Sequence, residues 1–435
     1  MQLKAAALNT LAVLVSVLPC RSGECADWPN WRGPNQAGIW QDVRLPKKLE
    51  PGNIQKRWST AIGGGYSGIA VKGMRVLTMD RPADKKSERV VCLDSESGRL
   101  LWEWKYSADY GDLSYDNGPR ATPTIAGDAV YTLGSTGIVH CLSLAEGKNL
   151  WSVDCESSLR ARRPIWGHAA PVLVKGELVY LHIGGQPDAT IVALDRKNGE
   201  VRWKALSDRP AYSPPLSVSM HGKPHLLIWT ADHLAALAPE SGKLLYKAAF
   251  KTSNHDVAII SPVPMGNSVF ISGYWDGSAF FSIDKDLRPK KVWATKALSC
   301  LMATPLHLDG HLYALDKRNG LLCVSIQDGS VVWKDGHRMT TKERNPHASM
   351  VWGEKKSGRA VVLNARGDLL LARLSPKGYS EEGRVHLIDG RWIWSHPAFC
   401  GQNIFARSDT EIICVRISET AVAPGAPDAA PARRP

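Results

Sequence analysis

A nine-residue pattern recurs along this chain. Asp94 to Trp102 reads DSESGRLLW, and the same shape returns as SLAEGKNLW from Ser143, DRKNGEVRW from Asp195, APESGKLLY from Ala238 and SIQDGSVVW from Ser325. Asp284 to Trp293 is a degraded copy, with Pro289 where the glycine would stand. Each copy reads as the end of one strand, a tight turn whose glycine accepts a positive φ without a Cβ clash, and a second strand closed by a large aromatic. The closing aromatics return at intervals of roughly 40–52 residues, a period that belongs to propellers and similar arrays. One such unit has too little core to stand alone, so the units must stack, with the aromatic filling the wedge between neighbouring sheets.

A second feature opens each unit. Small residues lead into a strand at Arg120-Ala121-Thr122-Pro123, His168-Ala169-Ala170-Pro171, Tyr212-Ser213-Pro214, Ile260-Ser261-Pro262, Met302-Ala303-Thr304-Pro305 and Trp394-Ser395-His396-Pro397, with looser versions at Tyr66-Ser67-Gly68 and His347-Ala348-Ser349. Eight units of four strands are therefore expected, at about 67–104, 120–153, 168–205, 212–248, 259–295, 302–334, 347–388 and 394–417. The last has only three strands. Residues 55–61, with Trp58 in the aromatic place, supply the fourth and close the ring, which removes its open seam. The fold class expected is all-β: an eight-bladed β-propeller of four-stranded antiparallel blades, spanning 55–417 and closed by an N-terminal strand.

Around that ring, residues 1–26 read as a secretory signal, with Lys4 before the short apolar run Leu11 to Leu18. Residues 27–54, rich in Trp, Pro and Gly, read as an arm packed on the surface by its aromatics. Residues 418–435 read as a disordered Ala- and Pro-rich tail. The protein is thus expected to be periplasmic or secreted. Among its nine cysteines, Cys92, Cys141, Cys323 and Cys414 repeat one position in separate blades and read as small core residues, while a disulfide among Cys155, Cys300 and Cys400 stays open. The formal charge of +12 favours anionic surfaces in general. No nucleic-acid-binding motif accompanies it, and nucleic acid is not expected as a partner. Gly63 to Gly68 spells G-x-G-x-x-G, but a strand follows where the dinucleotide version needs a helix.

The turn motif, the blade count and the opening Trp28-Pro29-Asn30-Trp31-Arg32-Gly33-Pro34 together resemble the pyrroloquinoline-quinone-like propeller family with its tryptophan-docking repeats, in its secreted bacterial non-catalytic form. The resemblance covers roughly 55–417. It implies two kinds of function. One is quinone-dependent alcohol oxidation, with pyrroloquinoline quinone and calcium held by an adjacent cysteine pair and a set of Glu, Asn and Asp. The other is a non-catalytic propeller, such as the lipoprotein that scaffolds outer-membrane barrel assembly. This chain has no adjacent cysteines, and Asp116, Asn117 and Asp256 are not singled out by any spacing. The leading expectation is a scaffold that binds a protein partner or an anionic, sugar-like ligand, without a cofactor or chemistry of its own. Any association with the outer membrane would be peripheral, since no later segment reads as a membrane span.

Long connections at 80–89, 105–119 and 155–167 all belong to one face of such a ring, and long loops on a rigid scaffold usually carry function. The lead-in positions Gly65, Arg120, His168, Ala211, Ile259, Met302, His347 and Trp394 should ring the channel mouth on that face, with Tyr66 and Tyr212 one place deeper. Arg160, Arg162 and Arg163 precede Trp166 in the 155–167 loop. Clustered with Arg120, they could grip carboxylate, sulfate or phosphate, with Trp166 beside a sugar or aromatic ring. The alternative, which weighs more, is that these side chains plug the channel and bond to loop backbone.

Overall fold

The computed structural model describes residues 27–421. Eight four-stranded antiparallel sheets form the ring of an eight-bladed β-propeller. Seven blades are continuous in sequence, at 70–107, 124–154, 173–205, 216–249, 263–295, 306–334 and 348–386. The eighth joins 398–417 to the strand Ile54–Ala61. That strand runs antiparallel to Glu411–Ile417, with Ile54 opposite Ile417 and Ala61 opposite Glu411, so the ring closes as expected. Each first strand starts within two residues of its lead-in proline where there is one. Proline has no N–H to give a ladder, so the lead-ins lie in the links between blades. The signal region 1–26 and residues 422–435 lie outside the described residues. Ser418 belongs with the ring: its N–H donates to Asn53 O at 2.9 Å.

The blades are held to one another by the recurring aromatics. Each indole reaches the turn of the next blade. Trp58 Nε1 donates to Ser95 O at 2.9 Å, Trp102 to Leu144 O at 3.1 Å, Trp151 to Arg196 O at 3.0 Å, Trp203 to Pro239 O at 2.9 Å, Trp293 to Ile326 O at 2.7 Å and Trp333 to Ser375 O at 2.9 Å. The glycine of that next turn lies flat against the ring. A Cβ on Gly147 would sit 2.3 Å from Trp102, and one on Gly199 would sit 2.8 Å from Trp151. The turn glycine is therefore required twice over, by its positive φ and by the ring above it.

Three seams depart from the rule, the third of them, between blades seven and eight, being filled by the N-terminal arm. In blade five the positive φ is taken by Leu287, two residues before Pro289, and Tyr246 of blade four turns its hydroxyl to Met220 Sδ in its own sheet. Trp333 meets no glycine on blade seven, since Gly378 has open space around its Cα; it is half-buried, whereas Trp102, Trp151, Trp203 and Trp293 are buried.

The N-terminal arm does more than pack on the surface. It crosses the lower face, where the short glycine hairpins lie, and touches the inner strands of several blades. Trp28 and Val71 exchange backbone hydrogen bonds, Ile125 N–H donates to Pro29 O, and Trp40 and Trp352 are joined through Trp40 N–H to Trp352 O. Trp31 Nε1 donates to Ser261 Oγ at 3.0 Å across the channel. Farther along, Trp40 Nε1 donates to Gly401 O at 2.8 Å, and Leu49 N–H donates to Glu382 O on the outer strand of blade seven. Trp40, Leu45 and Leu49 join one hydrophobic cluster with blades seven and eight, filling the seam where blade seven carries no docking tryptophan. All seven described cysteines are buried, and among the described residues no disulfide joins Cys155, Cys300 and Cys400 to one another.

Trp151→Ala should cost about 3–5 kcal/mol, as for other large core aromatics, and Trp333→Ala clearly less. Gly199→Ala should also destabilise, by at least about 1 kcal/mol, because it forces a left-handed Cβ into an intact indole. Urea unfolding of the three variants checks this order; small and equal losses would mean that the rings do not hold the blades.

Candidate functional site

The long connections gather on the upper face around a cup at the channel mouth. About 230 Å³ of it is open to the centre of a water molecule. Of the expected residues, Tyr66, Arg120, Trp166, Tyr212, Ile259, Met302, His347 and Trp394 line it; Gly65, Ala211, His168, Arg160, Arg162 and Arg163 do not. Trp31 of the arm also lines this cup, from the side of the lower face, and so forms its floor. Sequence reasoning also missed Tyr115, Tyr274, Trp275, Arg344 and Asn345. Tyr274-Trp275 was the legible signal: two aromatics inside a three-residue connection between strands, where a turn gains nothing from them.

Aromatic rings make the wall continuous. Tyr66 stacks on Trp394 with centroids 5.7 Å apart, Trp394 meets Trp392 at 4.8 Å, Tyr115 touches Trp166, Trp392 and Trp394, and Trp166 lies 5.3 Å from Tyr212. Tyr274 and Trp275 meet edge to face at 4.7 Å. Tyr115 and Trp392 both hold left-handed backbone, at φ 55° and 59°. Bulky side chains rarely accept that conformation, and such strain concentrates at binding sites.

The basic loop does not form a four-arginine cluster. Residues Cys155–Leu159 fold into a short helix, capped by the Asp154 carboxylate, which accepts from Glu156 N–H and Ser157 N–H. Arg160 ends that helix in left-handed conformation and is exposed, as is Arg162. Arg163 turns back onto the helix and grips Glu156 with two bonds, Nε–Oε1 at 2.6 Å and Nη2–Oε2 at 2.8 Å. Of these four arginines only Arg120 faces the cup, and its two Nη groups are already used: Nη1 bonds Gly118 O and Ser135 Oγ, and Nη2 bonds Ser114 O and Tyr115 O. Its balancing charge is a buried carboxylate reached through hydroxyls. Glu88 accepts from Tyr106 OH, Tyr110 OH and Ser135 N–H, and Tyr110 OH also reaches Ser135 Oγ. Arg120 therefore fixes the 114–118 loop that carries Tyr115, in place of clamping an anion.

The two histidines expected here part company. His168 is buried beside Glu156, its Nε2 3.7 Å from Glu156 Oε1, behind the wall. His347 is buried in the wall itself, and neither ring nitrogen makes a hydrogen bond of normal geometry. Burial holds its pKa down at about 4, so it is neutral at pH 7. Burial likewise pushes the Tyr66 phenol up to about 12. Near neutral pH the wall offers flat apolar faces and neutral donors, with Arg344, which forms no ion pair among the described residues, as a cation on the rim.

Quinone and calcium do not fit this cup. No Asp or Glu lines it. Asp116 is paired with Arg81 and Lys85, and Asp256 with Arg209. Among the described residues no group of three or more His, Cys, Asp or Glu is placed to hold a metal ion, and no two cysteines are adjacent.

The blade architecture and docking indoles define a member of the pyrroloquinoline-quinone-like propeller class. The chain matches the family described as "Outer membrane protein assembly factor BamB" over residues 39–217, 86–335 and 232–427, which overlap to span the ring, and it belongs to that family. It is 23% identical to the outer membrane protein assembly factor BamB of Yersinia pestis over 385 residues, covering 80% of this chain and 82% of that protein. It is 28% identical to the quinohemoprotein alcohol dehydrogenase ADH-IIG of Pseudomonas putida over 158 residues, which cover 31% of this chain and 22% of that protein. Among solved structures, BamB from Moraxella catarrhalis aligns with a TM-score of 0.59 at 16% identity, over 85% of this chain and 99% of that one. The quinohemoprotein alcohol dehydrogenase from Comamonas testosteroni aligns at 0.61 and 11% identity, over 92% of this chain and 82% of that one. These structural likenesses show the fold.

The buried imidazoles predict the pH response. Burial holds His140, His182 and His347 at about 4 and His396 at about 3, whereas an unfolded histidine titrates near ~6.5. Between those values the unfolded chain binds more protons, so stability present above about pH 6.5 is lost as pH falls toward 4. The urea midpoint should drop steadily from pH 7 to pH 4.5, and His347→Gln should make that slope shallower. An unchanged slope would mean that His347 is not held neutral.

Proposed function

We propose that this protein is a non-catalytic scaffold of the cell envelope, working in the periplasm at the outer membrane, and that it holds a protein partner on its upper face during assembly of outer-membrane proteins. One observation carries the reading: the cup is walled by aromatic rings, its half-buried Arg120 is spent on loop backbone, and among the described residues no carboxylate or metal-ligand set stands ready there for chemistry. Such a wall suits the side chains of a docked segment. Aromatic residues supply large, stiff contact area and are enriched at the centres of protein interfaces. The ring gives that surface a rigid base. No helix among the described residues is long and apolar enough to cross a membrane; in this reading the protein works beside the membrane. Membership of the BamB family supports the assembly role.

The test places a photo-crosslinking residue at the exposed rim positions Tyr115 and Trp275, and at Leu150 on an outer strand. Crosslinking in cells should give a discrete protein adduct from the two rim positions and none from Leu150, and Trp394→Ala should reduce the rim adduct several-fold without loss of folded protein. A discrete adduct confined to Leu150 would overturn the choice of face. Dye-linked alcohol oxidation after loading with quinone and calcium would overturn the non-catalytic reading.

A further inference from the structure

The arm that floors the upper cup also roofs a second cavity below. Trp31 faces the upper one, and the next residue, Arg32, faces the lower one. The lower cavity lies between the arm and the inner strands of blades four to seven, and about 230 Å³ of it is open to water centres. Arg32 is 4% exposed, yet its guanidinium makes one hydrogen bond, Nη1 to Met350 O at 3.3 Å. The arm folds back over it so closely that a Cβ on Gly38 would sit 2.2 Å from Nη2. Among the described residues no carboxylate pairs with it, and burial alone lowers its pKa to about 10.

A buried charge without a partner is costly, and breaking such a pair typically costs several kcal/mol. Two further basic groups face the same space. Lys355 is half-buried and makes no ion pair or hydrogen bond through Nζ among the described residues, and His307 lines the cavity with the two cations. Burial, with Lys355 and Arg32 adding to it, holds His307 down at about 4. No Asp or Glu lines the cavity, and the hydroxyl-bearing Ser217 and Thr304 do.

We infer that this lower cavity is an anion site for a phosphate group, built from Arg32, Lys355 and His307. Two permanent positive charges match the roughly −1.5 to −2 charge of a phosphate monoester at neutral pH. The free N–H groups of a guanidinium, an ammonium and an imidazole outnumber what one planar carboxylate needs, while a tetrahedral oxyanion can accept from all three. The phosphate would supply the counter-charge that Arg32 lacks and would tie the arm to blade seven.

The experiment adds inorganic phosphate to the full chain and follows calorimetric binding and thermal unfolding. Phosphate should saturate a single site and raise the unfolding temperature, as a ligand specific to the folded state does. Lys355→Ala should weaken binding about tenfold, the equivalent of one charge-assisted hydrogen bond, and acetate should bind far more weakly than phosphate. Arg32→Met keeps an unbranched apolar stem and removes the buried charge. It should abolish the phosphate effect while unfolding no earlier than the unmodified protein in phosphate-free buffer. Absence of saturable binding up to about 10 mM, a range that would still report millimolar affinity, would overturn the inference. So would equal binding of acetate, or unchanged binding by Lys355→Ala. Phosphatidic acid vesicles, whose headgroup is a phosphate monoester, set against phosphatidylcholine vesicles, identify the source. Capture competed by phosphate and lost in Lys355→Ala assigns a lipid headgroup. Phosphate binding without such capture assigns a soluble phosphate compound.

Discussion

Everything in this molecule rests on an indole laid flat on the glycine of the neighbouring blade's turn. The contact is local in sequence on both sides, since each turn and each tryptophan belong to one nine-residue motif, yet it acts only between units. It also fixes orientation. The ring stacks on the turn while its N–H donates to a carbonyl of the same turn, as Trp151 does over Gly199 and to Arg196 O. A stacking contact alone would let a blade slide; the hydrogen bond sets its position. The upper face inherits that rigidity, and a wall assembled from many different blades can keep its shape without a large core of its own.

The arm is the second organising element, and it divides the channel in two. Trp31 and Arg32 sit in a turn, with Arg32 in left-handed backbone at φ 60°, and the two side chains serve cavities of opposite character: one aromatic, its Arg120 already spent on backbone; the other basic and uncompensated. The arm also stands in for a missing docking residue. Where blade seven lacks its tryptophan, Trp40, Leu45 and Leu49 fill the seam.

Much of this architecture is legible in the amino-acid sequence. The motif from Asp94 to Trp102 and its copies imply blades, and Trp58 without strands before it implies ring closure, because both are local patterns with one physical solution. The site is half legible. Lead-in positions such as Arg120, His347 and Trp394 project where the ring geometry puts them. What Arg120 does there is not legible, because its acceptors are carbonyls of a loop whose path no pattern specifies. Arg163 is misplaced by sequence reasoning for a related reason: the five-residue helix that brings Glu156 back to it is too short to show a period. The course of the arm is least legible of all. Trp31 meets Ser261 and Arg32 meets Met350, 230 and 318 residues away, and nothing in WPNWRGP says which blades it will cross.

Closure by the strand Ile54–Ala61 makes the molecule a clasp whose first half is made long before its second. Pairing must wait until Glu411–Ile417 exists, so this contact carries nearly the full loop-closure cost of the chain, and the last blade should be the last to complete. In the interval an unpaired strand is offered to any other edge in reach. Its composition answers that hazard. Gln55, Lys56 and Arg57 are exposed in the finished blade, and charged edge residues are the common device against pairing with the wrong chain. The strand that locks the ring thus carries its own protection for the time it spends unlocked.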